Sequence, residues 1–259
     1  ERILEAYNFR GYEKGAQGIH MRLLHENPPV VMNVKKIRRL MKKYGLVCHI
    51  RKANPYRRIA REIKTNHVAE NLVKREFENH GPRKILLTDI TYIPWKGRFV
   101  YLSTIMDAYT KQILSYVLSE SLEVDFVLET VHQMIEKHGV SLTTETILHS
   151  DQGYHYTSCS FIQLIKDKKL RQSMSRRGNC WDNAPQESFF GRMKDHVGKR
   201  IRECMVYQEI LEVIDDWMEY YNKDRYQWGL AKLAPDEYYQ YITTGKYPIK
   251  GRNPPEERE

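Results

Sequence analysis

ILLTDITYI, residues 85–93, reads as a β-strand with a carboxylate set into it. Side-chain alternation places Asp89 on one face with Leu87 and Thr91. A carboxylate on so apolar a strand is costly to bury unless it is paired or bound to a cation. Two further runs, 99–107 and 112–118, are rich in β-branched and aromatic residues. Short breaks at 94–98 and near Lys111 separate the three, and such tight spacing predicts an antiparallel meander.

Beyond the meander, 123–138 reads as a helix with Val124, Val127, Leu128, Val131, Met134 and Ile135 on its apolar face. A strand at 146–149, a helix at 158–168, a strand at 171–174 and helices at 184–197 and 207–221 follow. That order predicts an α/β fold of ribonuclease-H-like type, a mixed five-stranded sheet flanked by helices. Asp151 comes just after TILHS, at the C-terminal end of its strand, where open α/β sheets bind ligands. Glu187 falls in the first turn of the helix from 184, which Asn183 and Gln186 are placed to cap. Lys194, seven residues on, shares its face. Individually each acid also fits a paired structural role. Together, Asp89, Asp151 and Glu187 offer the oxygen ligands that hard divalent cations require. Asp107, His149 and His155 read either as groups that support the ligands from behind or as structural residues, and not as metal ligands, since Mg²⁺ prefers oxygen to a histidine nitrogen.

The net charge of +9 is unevenly distributed. Residues 1–83 hold 19 Lys and Arg against 8 Asp and Glu, whereas the remainder is slightly acidic. Such a basic arm on a near-neutral body suits a polyanion partner. Within it, a helix near 17–26 ends at Asn27-Pro28-Pro29, and Asn33 looks like the N-cap of a second helix closed by Gly45. Val34, Ile37, Leu40, Met41 and Tyr44 form one stripe of that helix; Lys35, Lys36, Arg38, Arg39, Lys42 and Lys43 form the other. A helix-turn-helix DNA reader and an ordinary amphipathic pair both fit this pattern. Residues 51–64, with Arg57 and Arg58, suit either an arm tracking phosphates or a solvated connector. The expected division is 1–50 helix-turn-helix, 51–81 linker with a short helix, 82–222 catalytic domain and 223–259 C-terminal extension. Four dispersed cysteines suggest a reducing cytoplasm rather than disulfides or zinc. No apolar run is long enough to span a membrane, and no signal peptide is visible. The opening Glu1 suggests an absent upstream segment.

Three blocks carry a family resemblance: LLTDITYIP around Asp89, HSDQGYHY around Asp151 and SMSRRGNCWDNAPQESFFGRMK around Glu187. With 35 residues between Asp151 and Glu187, they resemble the transposases of the insertion-sequence-three family, relatives of retroviral integrases with a DDE core. The tail YNKDRYQWGLAKLAPDEY resembles the closing segment of that family. Asp236 between Pro235 and Glu237, and Trp181 where Tyr is commoner, depart from the pattern without touching a proposed ligand. Family members also carry an upstream segment with another helix-turn-helix and a coiled coil; no leucine heptads are visible in this sequence, so that segment is expected to be absent from it.

The resemblance implies that Asp89, Asp151 and Glu187 hold two Mg²⁺ ions, with Mn²⁺ able to substitute. Water then nicks a transposon end, and the freed 3′-hydroxyl attacks a second phosphodiester, giving a circular intermediate and later integration. It also implies double-stranded DNA partners (terminal inverted repeats and target), a homo-multimer of at least two chains, and action at the bacterial nucleoid in the cytoplasm. Lys194 would contact terminal phosphates, or be a surface lysine. Arg176, Arg177 and Asn179 would grip DNA near the site. A nuclease of the same fold and a catalytically idle DNA-binding protein are the alternatives.

Overall fold

A computed structural model of the chain describes residues 1–48, 69–73, 80–175, 183–251 and 254. These fall into two compact units. One takes in the described residues up to 48, then 195–197 and those from 212 onward; the other takes in the described residues of 69–194 and 198–211.

The second unit is built on a five-stranded sheet. Its strands are β1 (Ile85–Trp95), β2 (Arg98–Asp107), β3 (Ile113–Ser119), β4 (Ile147–Ser150) and β5 (Arg171–Met174), in the order β3-β2-β1-β4-β5. The first three form the expected antiparallel meander, with Asp89 opposite Thr104. β4 lies parallel to β1 on one side and to β5 on the other. The β1–β2 turn is tighter than the sequence suggests. Only Lys96 and Gly97 form it, both at positive φ (45° and 77°), as a two-residue hairpin demands. Pro94 therefore lies inside β1. It is tolerated because β4 pairs only with Ile85–Leu87, leaving the far half of β1 with one strand neighbour, as on an edge strand.

Alternation along the strands assigns the two faces. Leu86, Ile105 and Leu114 face α4 (Asp125–His138), α5 (Tyr154–Thr157) and α6 (Cys159–Asp167), packing with Phe126, Val131, Met134, Tyr156 and Phe161. Ile85 and Leu87 face the other way, with Val73 and Ala108. A long helix, α7 (Ala184–Glu203), enters this unit beside β1 and β2. At its C-terminal end the Trp95 indole N–H donates to the Cys204 carbonyl at 3.0 Å. A mixed sheet with helices on its faces is the ribonuclease-H-like architecture.

The first unit contains α1 (Arg2–Asn8), α2 (Ala16–Leu24) and α3 (Val34–Lys43), packed through Ile3, Ala6, Ile19, Leu23, Ile37 and Met41. Asn33 caps α3, its side chain accepting the Lys35 N–H at 2.8 Å, and Gly45 is left-handed at φ 66°. The same unit holds most of α8 (Tyr207–Lys223) and a further helix, α9 (Pro235–Thr244). Arg10 joins the N-terminal helices to α8 and the residue just after it, at 2.9 Å from each of Asp216, Glu219 and Asp224. Tyr12 adds a hydroxyl bond to Asp216 at 2.6 Å. Among the described residues no helix is long and apolar enough to cross a membrane.

Of the two roles open to Asp107, its bonds show the structural one. It is fully buried at the end of β2, and its Oδ2 accepts both the Arg83 backbone N–H (3.1 Å) and guanidinium (2.9 Å), while Oδ1 accepts the Tyr109 N–H at 2.9 Å. Removing one partner of a buried ion pair typically costs about 3–5 kcal/mol, because the other charge is stranded. Asp107→Ala is therefore expected to lower the melting temperature by roughly 10 °C, measured by circular dichroism. A shift within a degree or two of wild type would contradict the assignment.

Candidate active site

Asp89 and Asp151 meet because β1 and β4 are adjacent and parallel. Asp89 sits two residues past the last β1–β4 pair, Leu87 with His149, and Asp151 immediately follows β4. Each carboxylate is oriented by its own main chain. The Ile90 N–H donates to Asp89 Oδ1 at 2.8 Å. The Gly153 N–H donates to Asp151 Oδ1 at 2.8 Å, in an Asx-turn that leads into α5. A Cβ at Gly153 would stand 2.8 Å from that same oxygen, so a side chain at position 153 would push the Asp151 carboxylate from its place.

Burial raises the Asp89 pKa well above the ordinary carboxylate range, and the neighbouring Asp151 charge raises it further. The Ile90 hydrogen bond and the positive charge of Lys194 oppose this rise without cancelling it. Asp151 retains an exposed edge, yet dense protein around its carboxylate raises its pKa as well, against the Gly153 hydrogen bond and His155. Tyr156 lies fully buried near both acids, 3.5 Å from the Thr88 hydroxyl, and burial and their charges keep it protonated. Two desolvated carboxylates that repel one another form an oxygen donor set suited to a hard divalent cation, which removes the repulsion on binding.

Glu187 lies in the first turn of α7, half-buried, as expected. Among the described residues, however, no three His, Cys, Asp or Glu side chains close on a common metal position. The structure thus brings together the two aspartates, while Glu187 stays outside a three-ligand cluster. Lys194 is on the same helix; its ammonium is attracted to Asp89, although partial desolvation lowers its pKa. The expected caps of α7 are not used. Asn183 is buried and makes no cap bond, and Gln186 turns inward to the sheet. That inward turn, the tight fit at Gly153 and the place of Tyr156 were not read from the sequence. The Gly after HSDQ was the visible trace of the second of these.

The histidines hold structure. His149 is buried with Nδ1 2.9 Å from the Ser173 hydroxyl, and His155 Nε2 is 2.8 Å from the Leu122 carbonyl. In the first unit, Lys35, Lys36, Arg38, Arg39, Lys42 and Lys43 are all exposed on α3, opposite buried Ile37 and Met41. Arg57, Arg58, Arg176, Arg177 and Asn179 lie outside the described residues.

The integrase core domain family matches residues 79–180, and a second integrase core domain model matches 168–235. A transposase-like protein of Haemophilus influenzae is 33% identical over 211 residues, covering 81% of this chain and 94% of that protein. A putative transposase for insertion sequence element IS150, from Escherichia coli, is 32% identical over 238 residues, covering 92% of this chain and 81% of that protein. The chain belongs to the insertion-sequence transposases. It is a DDE enzyme of the group that the resemblance pointed to, with an integrase catalytic core. A chain in the cryo-electron-microscopy structure of the simian T-cell lymphotropic virus intasome, in complex with PP2A regulatory subunit B56 gamma, matches the transposase with a TM-score of 0.52. It is 14% identical, covering 80% of this chain and 67% of that one, and so speaks for the fold alone.

The raised carboxylate pKa values have a stability consequence. The folded transposase retains protons that the unfolded chain releases above about pH 4, so its metal-free stability falls as pH rises through the folded pKa values. Asp89→Asn removes one of the repelling charges. The metal-free variant is expected to melt a few degrees above wild type at pH 8, with the gap closing towards pH 4. A variant less stable than wild type at pH 8 would contradict this electrostatic origin.

Proposed function

We propose that Asp89, Asp151 and Glu187 are the catalytic carboxylates of this transposase and bind two Mg²⁺ ions, with Mn²⁺ able to replace them. The observation that carries this reading is the desolvated Asp89–Asp151 pair on adjacent parallel strands, with Glu187 in the helix beside them. When bound, the metal ions supply Lewis acidity and an activated nucleophile. The protein's own residues orient the ligands: Ile90 and Gly153 fix the two aspartates, and the α7 main chain carries Glu187.

In this reading, water cleaves one strand at a transposon end, and the 3′-hydroxyl so released is joined directly to a second phosphodiester. The phosphorus–oxygen bond broken in the acceptor is replaced by the one formed, so no external energy source is needed. Joining one transposon end to the other in this way leads towards a circular intermediate, whose ends are later joined to target DNA by the same chemistry. Lys194 contacts phosphate near the acids. The basic face of α3, with Lys35, Lys36, Arg38, Arg39, Lys42 and Lys43, holds duplex DNA as part of a helix-turn-helix domain over 1–50. Arg57 and Arg58 in the linker 51–81, and Arg176, Arg177 and Asn179, extend the contact. Terminal inverted repeats and target DNA are the partners, brought together in a homo-multimer of at least two chains. The reaction takes place on the bacterial chromosome in the cytoplasm.

A labelled transposon end incubated with the protein and Mg²⁺ is expected to give joined product, abolished by EDTA. Asp89→Asn, Asp151→Asn and Glu187→Gln should each reduce joining by at least roughly a hundredfold, since ligand loss forfeits several kcal/mol of charge stabilisation. Cleavage without joining would favour a nuclease, and binding without cleavage an idle DNA-binding protein. For α3, replacing Lys35, Arg38, Arg39 and Lys42 by Ala together should flatten the plot of log affinity against log salt by roughly 2–4. An unchanged slope would remove α3 from the DNA interface.

A further inference from the structure

Gln186 stands immediately before Glu187 and is fully buried. Burying a primary amide is costly unless its polar atoms are satisfied, and here they are. Its Nε2 donates to the Leu87 carbonyl of β1 at 2.8 Å and, more weakly, to the Thr104 carbonyl of β2 at 3.4 Å. Its Oε1 accepts the Thr104 hydroxyl at 3.1 Å. Leu87 is two residues from Asp89 in the same strand, and Thr104 is the residue opposite Asp89 in the β1–β2 ladder. One side chain thus pins the first turn of α7 to the two strand positions that frame Asp89.

Docking the helix does not require this amide. Phe189, Phe190 and Met193, buried three, four and seven residues further on, already form an apolar stripe. A methionine at 186 would fill similar volume, and exchanging a satisfied buried amide for an apolar group of like shape is often nearly neutral. What an apolar group does not supply is register. A slip of one residue along a helix is about 1.5 Å, while metal–ligand distances tolerate about 0.2 Å. Helix placement therefore decides whether Glu187 serves the same cation as Asp89.

We propose that Gln186, with Thr104, is a positioning element that sets Glu187 relative to Asp89 for metal binding. This rests on the assignment of the three carboxylates as metal ligands.

The test is direct binding of Mn²⁺ to the full chain, followed by electron paramagnetic resonance, with thermal melting alongside. Gln186→Met and Thr104→Val are expected to weaken Mn²⁺ binding about tenfold or more, the usual scale for losing a partner that orients a ligand. Gln186→Met should melt within a few degrees of wild type. Thr104→Ser restores the hydroxyl and should bind Mn²⁺ like wild type. If Gln186→Met destabilises the fold, the Thr104→Val and Thr104→Ser pair decides the matter. Folded Gln186→Met and Thr104→Val proteins that bind Mn²⁺ as wild type does, while Asp89→Asn does not, would overturn the positioning role alone. So would a Thr104→Ser protein as weak as Thr104→Val. If Asp89→Asn also binds normally, the carboxylate assignment falls, and this inference with it.

Discussion

The repulsion between two desolvated carboxylates, Asp89 and Asp151, is the constraint on which the rest of the site depends. Parallel pairing of β1 with β4 sets the acids side by side, and the protein packed around them reduces the hydration that would favour their charges, although Asp151 keeps an exposed edge. A fold retains such a pair only if the rest of the sheet outweighs its cost, and strain of this kind is expected where function demands it. Here the meander β1–β3 and the helix layer beneath it form a continuous buried core that anchors the strand carrying Asp89. The hydrogen bonds from Ile90 and Gly153 then hold each carboxylate in place, and the missing Cβ at Gly153 leaves the second the space it occupies.

Much of this was legible in the chain itself because it is local. Strand alternation, the Asn33 cap and the Gly45 stop depend on neighbours a few residues apart, and all three are observed. So is the placement of Asp89 in a strand, Asp151 at a strand end and Glu187 in a first helical turn. The departures have tertiary causes. Pro94 reads as a break but continues β1, because β4 is too short to need its missing N–H. The sequence places the end of α7 near Val197, yet the helix runs on to Glu203, where buried Ile201 keeps its apolar stripe in contact. Gln186 reads as a capping residue by position, and only the arrival of β1 and β2 on its inner side turns it into a clamp.

The first unit shows the same limit more strongly. Its three N-terminal helices are readable, but their bond to the far end of the chain is not. Arg10 gathers Asp216, Glu219 and Asp224, residues more than 200 positions away. No periodicity signals such a contact. On α3 it is Ile37 and Met41 that pack, while the basic stripe opposite them lies exposed. In physical terms, then, the charge asymmetry of the sequence corresponds to an exposed helix surface, and the apolar strand with its acid to a partly desolvated electrostatic conflict.

Binding of a divalent cation would resolve that conflict. Crystals soaked in Mn²⁺ and measured for anomalous scattering test this most directly. The expected result is an anomalous peak between the carboxylates of Asp89 and Asp151, absent in crystals of Asp89→Asn. Well-ordered aspartates with no peak between them at saturating Mn²⁺, or a peak that persists in Asp89→Asn, would contradict it.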